Sequence, residues 1–565
     1  MHKAFAGYST LVEALEAAPA DHLFVLEWHD DDNQHSVTFG DFRRLARKQA
    51  NFLKQQGMRC GDRIVFVMPQ GIELMTAFAG SMMLGALPAI LAYPNSKVDP
   101  TKYSSGLSGV TANLKAPYIV VDENFPEALM GDLSVTSSTK IIRLPGALGS
   151  MEELDPPAQS IHPQGLAFIQ HSAGTTGLQK GVALSHAAVL TQLEHLVEVL
   201  GISARDRVYS WLPLYHDMGL IACFMLPMVC HLPVIMQAPT EWVQRPEAML
   251  KLIDEHKCTL AWLPNFTFQF VARRTPPETR SRFNLASVRA LINCSEPVKT
   301  ESMNEFYEAF GPQGLRRSAL QSSYAMAENV FAVTQSAPGG PRQIHADHRQ
   351  FRSDHVITQV PAETSGAISF TSSGRLLPQN QARIVSEAGE ALADLHVGEI
   401  LIKSDSLFSG YYNRPDLTEQ AMTEGWFRTG DLGFLHEGEL FVVGRKKDLL
   451  IVGGENIYPQ DVEEIVCGHP AVHDGRAVAM GFFNPDLGTE DLVIVAEVEQ
   501  GPSVAKKSEM ERDIRARVFA QMGVAVRFLF LKPGKWIVKS TAGKPARSAT
   551  REKLLREHPE LERGA

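Results

Sequence analysis

Short β-rich runs alternate with helical patterns through the first three-quarters of the chain, and that alternation narrows the fold more than any other feature. The stretches 63–68, 117–121, 165–170, 233–237, 259–262 and 288–292 are compact apolar runs of strand length. Between them lie helix-like segments. The clearest opens at Ser185, a good N-cap, with Val189, Leu190, Leu193, Leu196, Val197 and Leu200 at helical spacing. Repeated strand–helix switching builds parallel sheets covered by helices. After about residue 440 the texture shifts to an expected strand at 440–443, a polar stretch, a strand at 449–452, a glycine turn, a helix through 462–466 and more short strands. The reading is α/β, with a large domain of helix-covered sheets over 1–446 and a small, mobile α+β domain over 447–565.

Composition excludes several classes. The 565 residues are ample for a large core, and 44% hydrophobic with 21% charged residues is ordinary for a soluble globular protein. A net charge of −10 argues against a protein that coats nucleic acid, which needs a broad basic footprint. Six cysteines, none at CxxC spacing, do not make a disulfide scaffold or a zinc knuckle. Two apolar stretches, 74–93 and 219–236, are broken by glycine or proline and read as buried helix–strand pieces, so no membrane span is expected. The N-terminus lacks the apolar run of a signal peptide, and the expected compartment is cytoplasmic. Between Arg527 and Arg556, nine basic residues accompany one acidic residue, Glu552. Such a run suits a solvated face, or attraction of a phosphate or an acidic partner.

Chemistry concentrates first in Gln170-His-Ser-Ala-Gly-Thr-Thr-Gly-Leu-Gln-Lys-Gly-Val182. A strand feeds a loop of glycines and hydroxyls, and a helix follows. The small residues Gly174 and Gly177 let backbone N–H groups approach an anion, Ser172, Thr175 and Thr176 add donors, and Lys180 supplies charge. The spacing is not that of a P-loop, because Gly181 and Val182 follow the lysine where Ser or Thr is required. A P-loop kinase or ATPase is thereby disfavoured. Taken alone, the stretch is equally a plain turn.

Taken with the rest of the chain, the loop resembles the phosphate-binding loop of the adenylate-forming enzymes, the superfamily of acyl-CoA synthetases, luciferases and nonribosomal adenylation domains. It departs from the usual form at Ala173 and Gln179, where glycine and proline are common. The resemblance continues in order through Ser323-Tyr-Ala-Met-Ala-Glu328, Gly398-Glu-Ile400, Ser409-Gly-Tyr-Tyr412, Trp426-Phe-Arg-Thr-Gly-Asp-Leu432, Gly444-Arg-Lys-Lys-Asp448, Gly453-Gly-Glu-Asn-Ile-Tyr-Pro459 and Lys539-Ser-Thr-Ala-Gly-Lys-Pro-Ala-Arg547.

The resemblance implies ATP and Mg²⁺ as cofactors and assigns roles residue by residue. Glu328, a hard oxygen ligand, would hold Mg²⁺ with Thr175. Ser295, Glu296, Tyr324 and Met326 would line the nucleotide site, with Tyr324 stacked on adenine. Asp431 would accept the ribose hydroxyls, and Arg445 would reach ribose or phosphate. Lys544 would neutralise charge developing between the acyl carboxylate and the α-phosphate. Lys447 would be the hinge about which the small domain rotates between half-reactions. Each has a plainer reading: Tyr324 as a packed core side chain, Glu328 as a surface carboxylate, Asp431 as a turn residue, Arg445 as a linker charge and Lys544 as a tail lysine.

Three further motifs resemble the fatty acyl-AMP ligase branch, namely Ser210-Trp-Leu-Pro-Leu-Tyr-His-Asp-Met-Gly-Leu220, Trp262-Leu-Pro-Asn-Phe266 and Asn293-Cys-Ser-Glu-Pro-Val298. In that branch His216 would position the substrate carboxylate, unless it is simply a core histidine. The long link between Glu328 and Gly398 also fits, since the branch carries an extra segment there that hinders the domain motion needed for CoA. Gly453-Gly-Glu-Asn456 and the presence of Lys180 look more like CoA ligases. The expected activity is activation of a fatty acid to its adenylate, followed by transfer to the phosphopantetheine thiol of a separate acyl carrier protein. A fatty or aryl acyl-CoA synthetase is the alternative, and a non-catalytic nucleotide-binding homologue a remote one. Met218, Phe224, Met225, Phe266 and Phe268 are candidate walls of an apolar acyl pocket, or core residues.

Overall fold

The computed structural model describes residues 7–94, 100–130, 139–146, 148–154, 161–171, 180–452, 455–484, 487–499, 504–539 and 545–562. Two parallel sheets form where the apolar runs lead one to expect them. The first places Leu87–Ile90, Arg63–Val67, Tyr118–Asp122 and Lys140–Leu144 side by side. The second runs from Leu320–Ser322 through Ala290–Asn293, Leu260–Leu263, Val208–Ser210 and Val234–Gln237 to Leu23–Trp28, all parallel, and ends on the antiparallel strand Gln34–Thr38. Central strands such as Arg63–Val67, Leu260–Leu263 and Ala290–Asn293 are buried on both faces, which is why they read as apolar runs, whereas the edge strands Lys140–Leu144 and Gln34–Thr38 are partly exposed.

The helix expected after Ser185 spans His186–Leu200. The Ser185 side chain accepts the Ala188 N–H at 3.1 Å, and Gly201 closes the helix in the left-handed conformation at φ 56°. Helix Phe39–Gln55 opens on a capping box between Thr38 and Asp41. Both long apolar stretches are buried helix–strand pieces. The first gives Ile72–Met83 and Leu87–Ile90. The second gives a π-helical segment, Met218–Met225, then Leu226–Cys230 and Val234–Gln237. No helix among the described residues is long and apolar enough to cross a membrane.

Two smaller arrangements position the site. Strands Leu166–His171 and Gly181–Ser185 form a hairpin that brackets the glycine-rich loop, and the much later strand Gly410–Tyr411 pairs with the second of them. An antiparallel sheet runs through Thr334–Gln335, Arg375–Leu376, Glu439–Arg445, Trp426–His436, Gly398–Lys403 and Gln381–Val385. Sequence periodicity pointed to parallel sheets, and this antiparallel one is an addition to that picture.

The C-terminal part has its own sheet, Val472–Asn484, Thr489–Val498 and Val526–Pro533, with helices Pro459–Cys467, Val504–Met522 and Arg547–Glu557. Its apolar cluster from Leu450 to Leu529 draws no buried residue from the larger part of the chain. The two parts meet closely at strand Glu439–Arg445. A Cβ at Gly444 would stand 2.9 Å from Tyr458 Cδ1, and Gln460 Nε2 donates to the Val443 carbonyl at 2.8 Å.

Candidate active site

Three carboxylate, phenol and cation groups converge where the late strand meets the hairpin. Glu328 lies on the 3-10 turn Ala327–Asn329, followed by Val330 at φ 61°, a left-handed conformation costly for a β-branched residue. The Tyr411 hydroxyl donates to Glu328 Oε1 at 2.8 Å, and the Phe408 N–H donates to the Glu328 carbonyl at 2.8 Å. Lys180 Nζ stands 4.4 Å from the centroid of the Tyr411 ring. Backbone bonds lock this segment to the hairpin, Ser409 N–H to the Ala183 carbonyl at 2.9 Å and Tyr412 N–H to the Gly181 carbonyl at 2.7 Å.

Asp431 is the second centre. Its carboxylate accepts the Tyr324 hydroxyl at 2.5 Å and faces Arg445 Nε at 3.5 Å across the strand pair in which residues 431 and 445 are partners. Thr429 fixes the turn, its Oγ1 accepting the Asp431 N–H at 3.0 Å and donating to the Ile400 carbonyl at 2.7 Å. Burial pushes the Asp431 carboxyl up, opposed by Arg445 and by the Tyr324 hydrogen bond. Burial and the adjacent Asp431 push the Tyr324 phenol up, so it remains a donor. Lys447 is driven down, first by burial and then by Arg445, with Lys180 adding to the effect. Arg445 and Lys180 thus both repel Lys447, while Asp448 and Asp431 attract it.

The branch motifs meet in a neighbouring region. His216 lies two residues before Met218, and its ring is 4.9 Å from that of Tyr215. Ser295, at φ 68°, donates to Met218 Sδ at 3.8 Å. Glu296 Oε2 accepts the Phe266 N–H at 3.0 Å and so joins two of the motifs. Trp211 and Trp242 stack at 4.0 Å, and Phe266 meets both edge-on while remaining 40% exposed. Met326 is an extended, half-buried residue whose N–H donates to the Phe331 carbonyl at 2.8 Å. Of the candidate pocket walls, Phe224 belongs to the core, packed with Phe24, Phe42 and Phe78, and Phe268 packs on Phe306. Met225 is likewise wholly buried in the main core, and Met218 nearly so.

Ser172, Gly174, Thr175, Thr176 and Gly177 of the loop, and Lys544 near the C-terminus, lie outside the described residues. The flanks of the Lys544 stretch are described: Lys539 and Pro545 form an antiparallel bridge, and the Ala546 N–H donates to the Val538 carbonyl at 2.8 Å. Arg547 then grips Glu463 through Nε at 2.9 Å and Nη2 at 2.7 Å, and reaches Asp448 at 3.1 Å.

The stretch between Glu328 and Gly398 contains strands Gln343–Asp347 and Ala367–Thr371 and the helix His348–Asp354. It contacts the small C-terminal part directly. Phe351 stacks on Tyr458 at 5.5 Å, Asn456 Nδ2 lies 2.7 Å from His355 Nε2, and Arg352 pairs with Glu455 and donates to the Met522 carbonyl.

Tyr411 is the site residue whose role sequence reasoning missed. Ser409-Gly-Tyr-Tyr412 marks the position, but nothing in a linear motif indicates a bond to a carboxylate at residue 328.

Residues 12–412 match the family described as AMP-binding enzyme. A 4-hydroxyphenylalkanoate adenylyltransferase of Mycobacterium marinum is 31% identical, over 93% of this chain and 86% of that one. A medium-chain-fatty-acid–[acyl-carrier-protein] ligase of Moorena producens is 29% identical, over 97% and 95%. Among solved structures, one from a study of fatty acyl-adenylate ligases of E. coli and L. pneumophila superposes with a TM-score of 0.91 at 26% identity, covering 98% of this chain and 99% of that one. The chain belongs to the AMP-binding enzyme family and is an ATP-dependent, adenylate-forming ligase.

Proposed function

We propose that this chain activates a fatty acid with ATP and passes the acyl group to the phosphopantetheine thiol of a separate acyl carrier protein. The observation that carries the adenylation half is the pairing of Asp431 with Tyr324 and Arg445 beside the Glu328, Tyr411 and Lys180 cluster. Names of relatives that act on fatty acids and carrier proteins support the substrate and acceptor.

A carboxylate oxygen of the fatty acid attacks the α-phosphorus of ATP, the bond to the β-phosphate oxygen breaks, and pyrophosphate leaves. Asp431 receives the ribose hydroxyls, Tyr324 packs against the adenine, and Arg445 steadies the ribose–phosphate. Ser295, Glu296 and Met326 complete the nucleotide wall, while the hydroxyls and backbone of Ser172 to Gly177 cradle the phosphates. His216 orients the acyl carboxylate. Lys544 meets the charge that develops between the two anions. In the second step the carrier thiol sulfur attacks the acyl carbonyl, AMP leaves, and the thiol proton departs to base.

Mg²⁺ suits the donors present. Glu328 Oε1 is held by Tyr411, and no described residue hydrogen-bonds Oε2, which is free to face a cation. No cluster of three or more His, Cys, Asp or Glu suited to a metal occurs among the described residues. One carboxylate plus nucleotide phosphates is the usual protein share of a magnesium site. Glu328, joined by Thr175, would hold the ion, which supplies neutralisation of phosphate charge.

The division into 1–446 and 447–565, with Lys447 as hinge, belongs to the same proposal and is supported by the separate C-terminal core. Contacts of Phe351, Arg352 and His355 with the small part support a carrier protein over CoA as acceptor, because they resist the rotation that CoA use requires. The test supplies ATP and a fatty acid with either CoA or a phosphopantetheinylated carrier protein. Acylated carrier protein is the expected product, and abundant acyl-CoA overturns the choice of acceptor.

A further inference from the structure

We propose that Tyr411 is a positioning residue for adenylation, its hydroxyl holding the Glu328 carboxylate in the orientation that receives the divalent cation of metal–ATP. The inference rests on the reading of Glu328 as the metal-holding carboxylate. Three observations carry it. First, the Tyr411 hydroxyl is committed to Oε1 at 2.8 Å and the other carboxylate oxygen is left free of described partners. Second, residues 408–412 bridge the exit of the phosphate loop and the glutamate. The Phe408 N–H holds the Glu328 carbonyl, while Ser409 and Tyr412 bond to residues 183 and 181. Movement of the loop strand is therefore felt at the carboxylate. Third, the Tyr411 ring is buried at 6% exposure, packed edge-on to Phe408 at 4.9 Å, and carries Lys180 at 4.4 Å.

In this pair the hydroxyl donates and the carboxylate accepts. Support is needed there, because Val330 holds its left-handed conformation two residues beyond Glu328. A rigid ring on a paired strand is a better stop for a glutamate rotamer than solvent, and partners of metal-holding groups commonly set metal affinity.

Tyr411→Phe removes one oxygen and keeps the ring beneath Lys180. The experiment measures Mn²⁺ binding, by electron paramagnetic resonance, to the full chain with a non-hydrolysable ATP analogue. Tyr411→Phe is expected to weaken Mn²⁺ binding about tenfold, with the melting temperature and metal-free analogue affinity unchanged. Glu328→Gln is expected to weaken it more, and the double variant no further than Glu328→Gln alone. Unchanged Mn²⁺ binding in Tyr411→Phe with a loss in Glu328→Gln overturns this proposal and leaves the proposed function standing. Losses that add in full overturn it too, because the tyrosine then acts elsewhere. No loss in either variant overturns the metal role of Glu328 itself.

Discussion

Arg547 holds Glu463 through two nitrogens, at 2.9 and 2.7 Å, and Asp448 through a third at 3.1 Å. One guanidinium thereby joins the end of the 539–547 motif, the helix Pro459–Cys467 and the turn that follows Arg445. Glu463 also accepts the Ala479 N–H at 3.0 Å, so the first strand of the small sheet is tied in as well. Burial pushes the Glu463 carboxyl up while Arg547 pulls it down.

Removing Arg547 strands a largely buried carboxylate, 16% exposed. Arg547→Ala should destabilise the C-terminal part by about 3–5 kcal/mol, the usual cost of breaking a buried pair from one side. Urea unfolding read by hydrogen exchange in residues 459–484 checks this. Exchange no faster than wild type would show that solvent already supports Glu463.

Lys544→Ala should lower pyrophosphate release by on the order of a hundredfold or more, as for loss of one transition-state donor. Transfer of acyl from a supplied acyl-adenylate to the carrier should survive, because the role proposed for the lysine lies in the first step alone. Equal loss in both steps would point to a folding defect.

Loosening the contact between the extra segment and the small part should open the enzyme to CoA. Arg352→Ala with His355→Ala removes three polar ties, to Glu455, the Met522 carbonyl and Asn456, and leaves the Phe351–Tyr458 stack. A shift of about 1 kcal/mol is about fivefold in domain population, so acyl-CoA formation should rise several-fold. Product analysis by chromatography decides, and no rise means that the segment does not restrain rotation.

A pH effect on stability follows from Glu73, whose carboxyl is raised to about 7 by burial first and then by Asp122, Glu123 and Glu27. A raised carboxyl favours the protonated folded state. Its contribution is full below the unfolded value of 4.5 and is lost as pH climbs to about 7. Glu73→Gln keeps the shape of the protonated form. The variant should unfold at higher urea than wild type at pH 8, and the gap should narrow as pH falls and close below 4.5. A gap independent of pH would place the effect elsewhere.

How much of this was legible depends on where each signal resides. Strands such as Arg63–Val67 and Ala290–Asn293 are readable because burial on both faces makes every position apolar except Arg63 and Asn293 at their ends. Helix His186–Leu200 is readable from its Ser185 cap and its spacing. The antiparallel sheet was not, since Gln381–Val385 mixes exposed and buried positions and Trp426–His436 half-buried and buried ones, without a clean period. The π-helical turns of Met218–Met225 hide inside an apolar run that any buried helix would show. Asp431 and Arg445 were legible as separate motifs, but their pairing arises from strand register. Phe224 could be a pocket wall or core on sequence grounds, and only packing with Phe24, Phe42 and Phe78 decides for core.

Strand Gly410–Tyr411 closes a sheet begun at residues 166 and 181. During synthesis, the hairpin must wait for its third member to leave the ribosome. At about 5–20 residues per second, that delay is on the order of ten to forty seconds. The nascent polypeptide therefore carries an unfinished nucleotide cradle through most of its translation, and competence to consume ATP is acquired late.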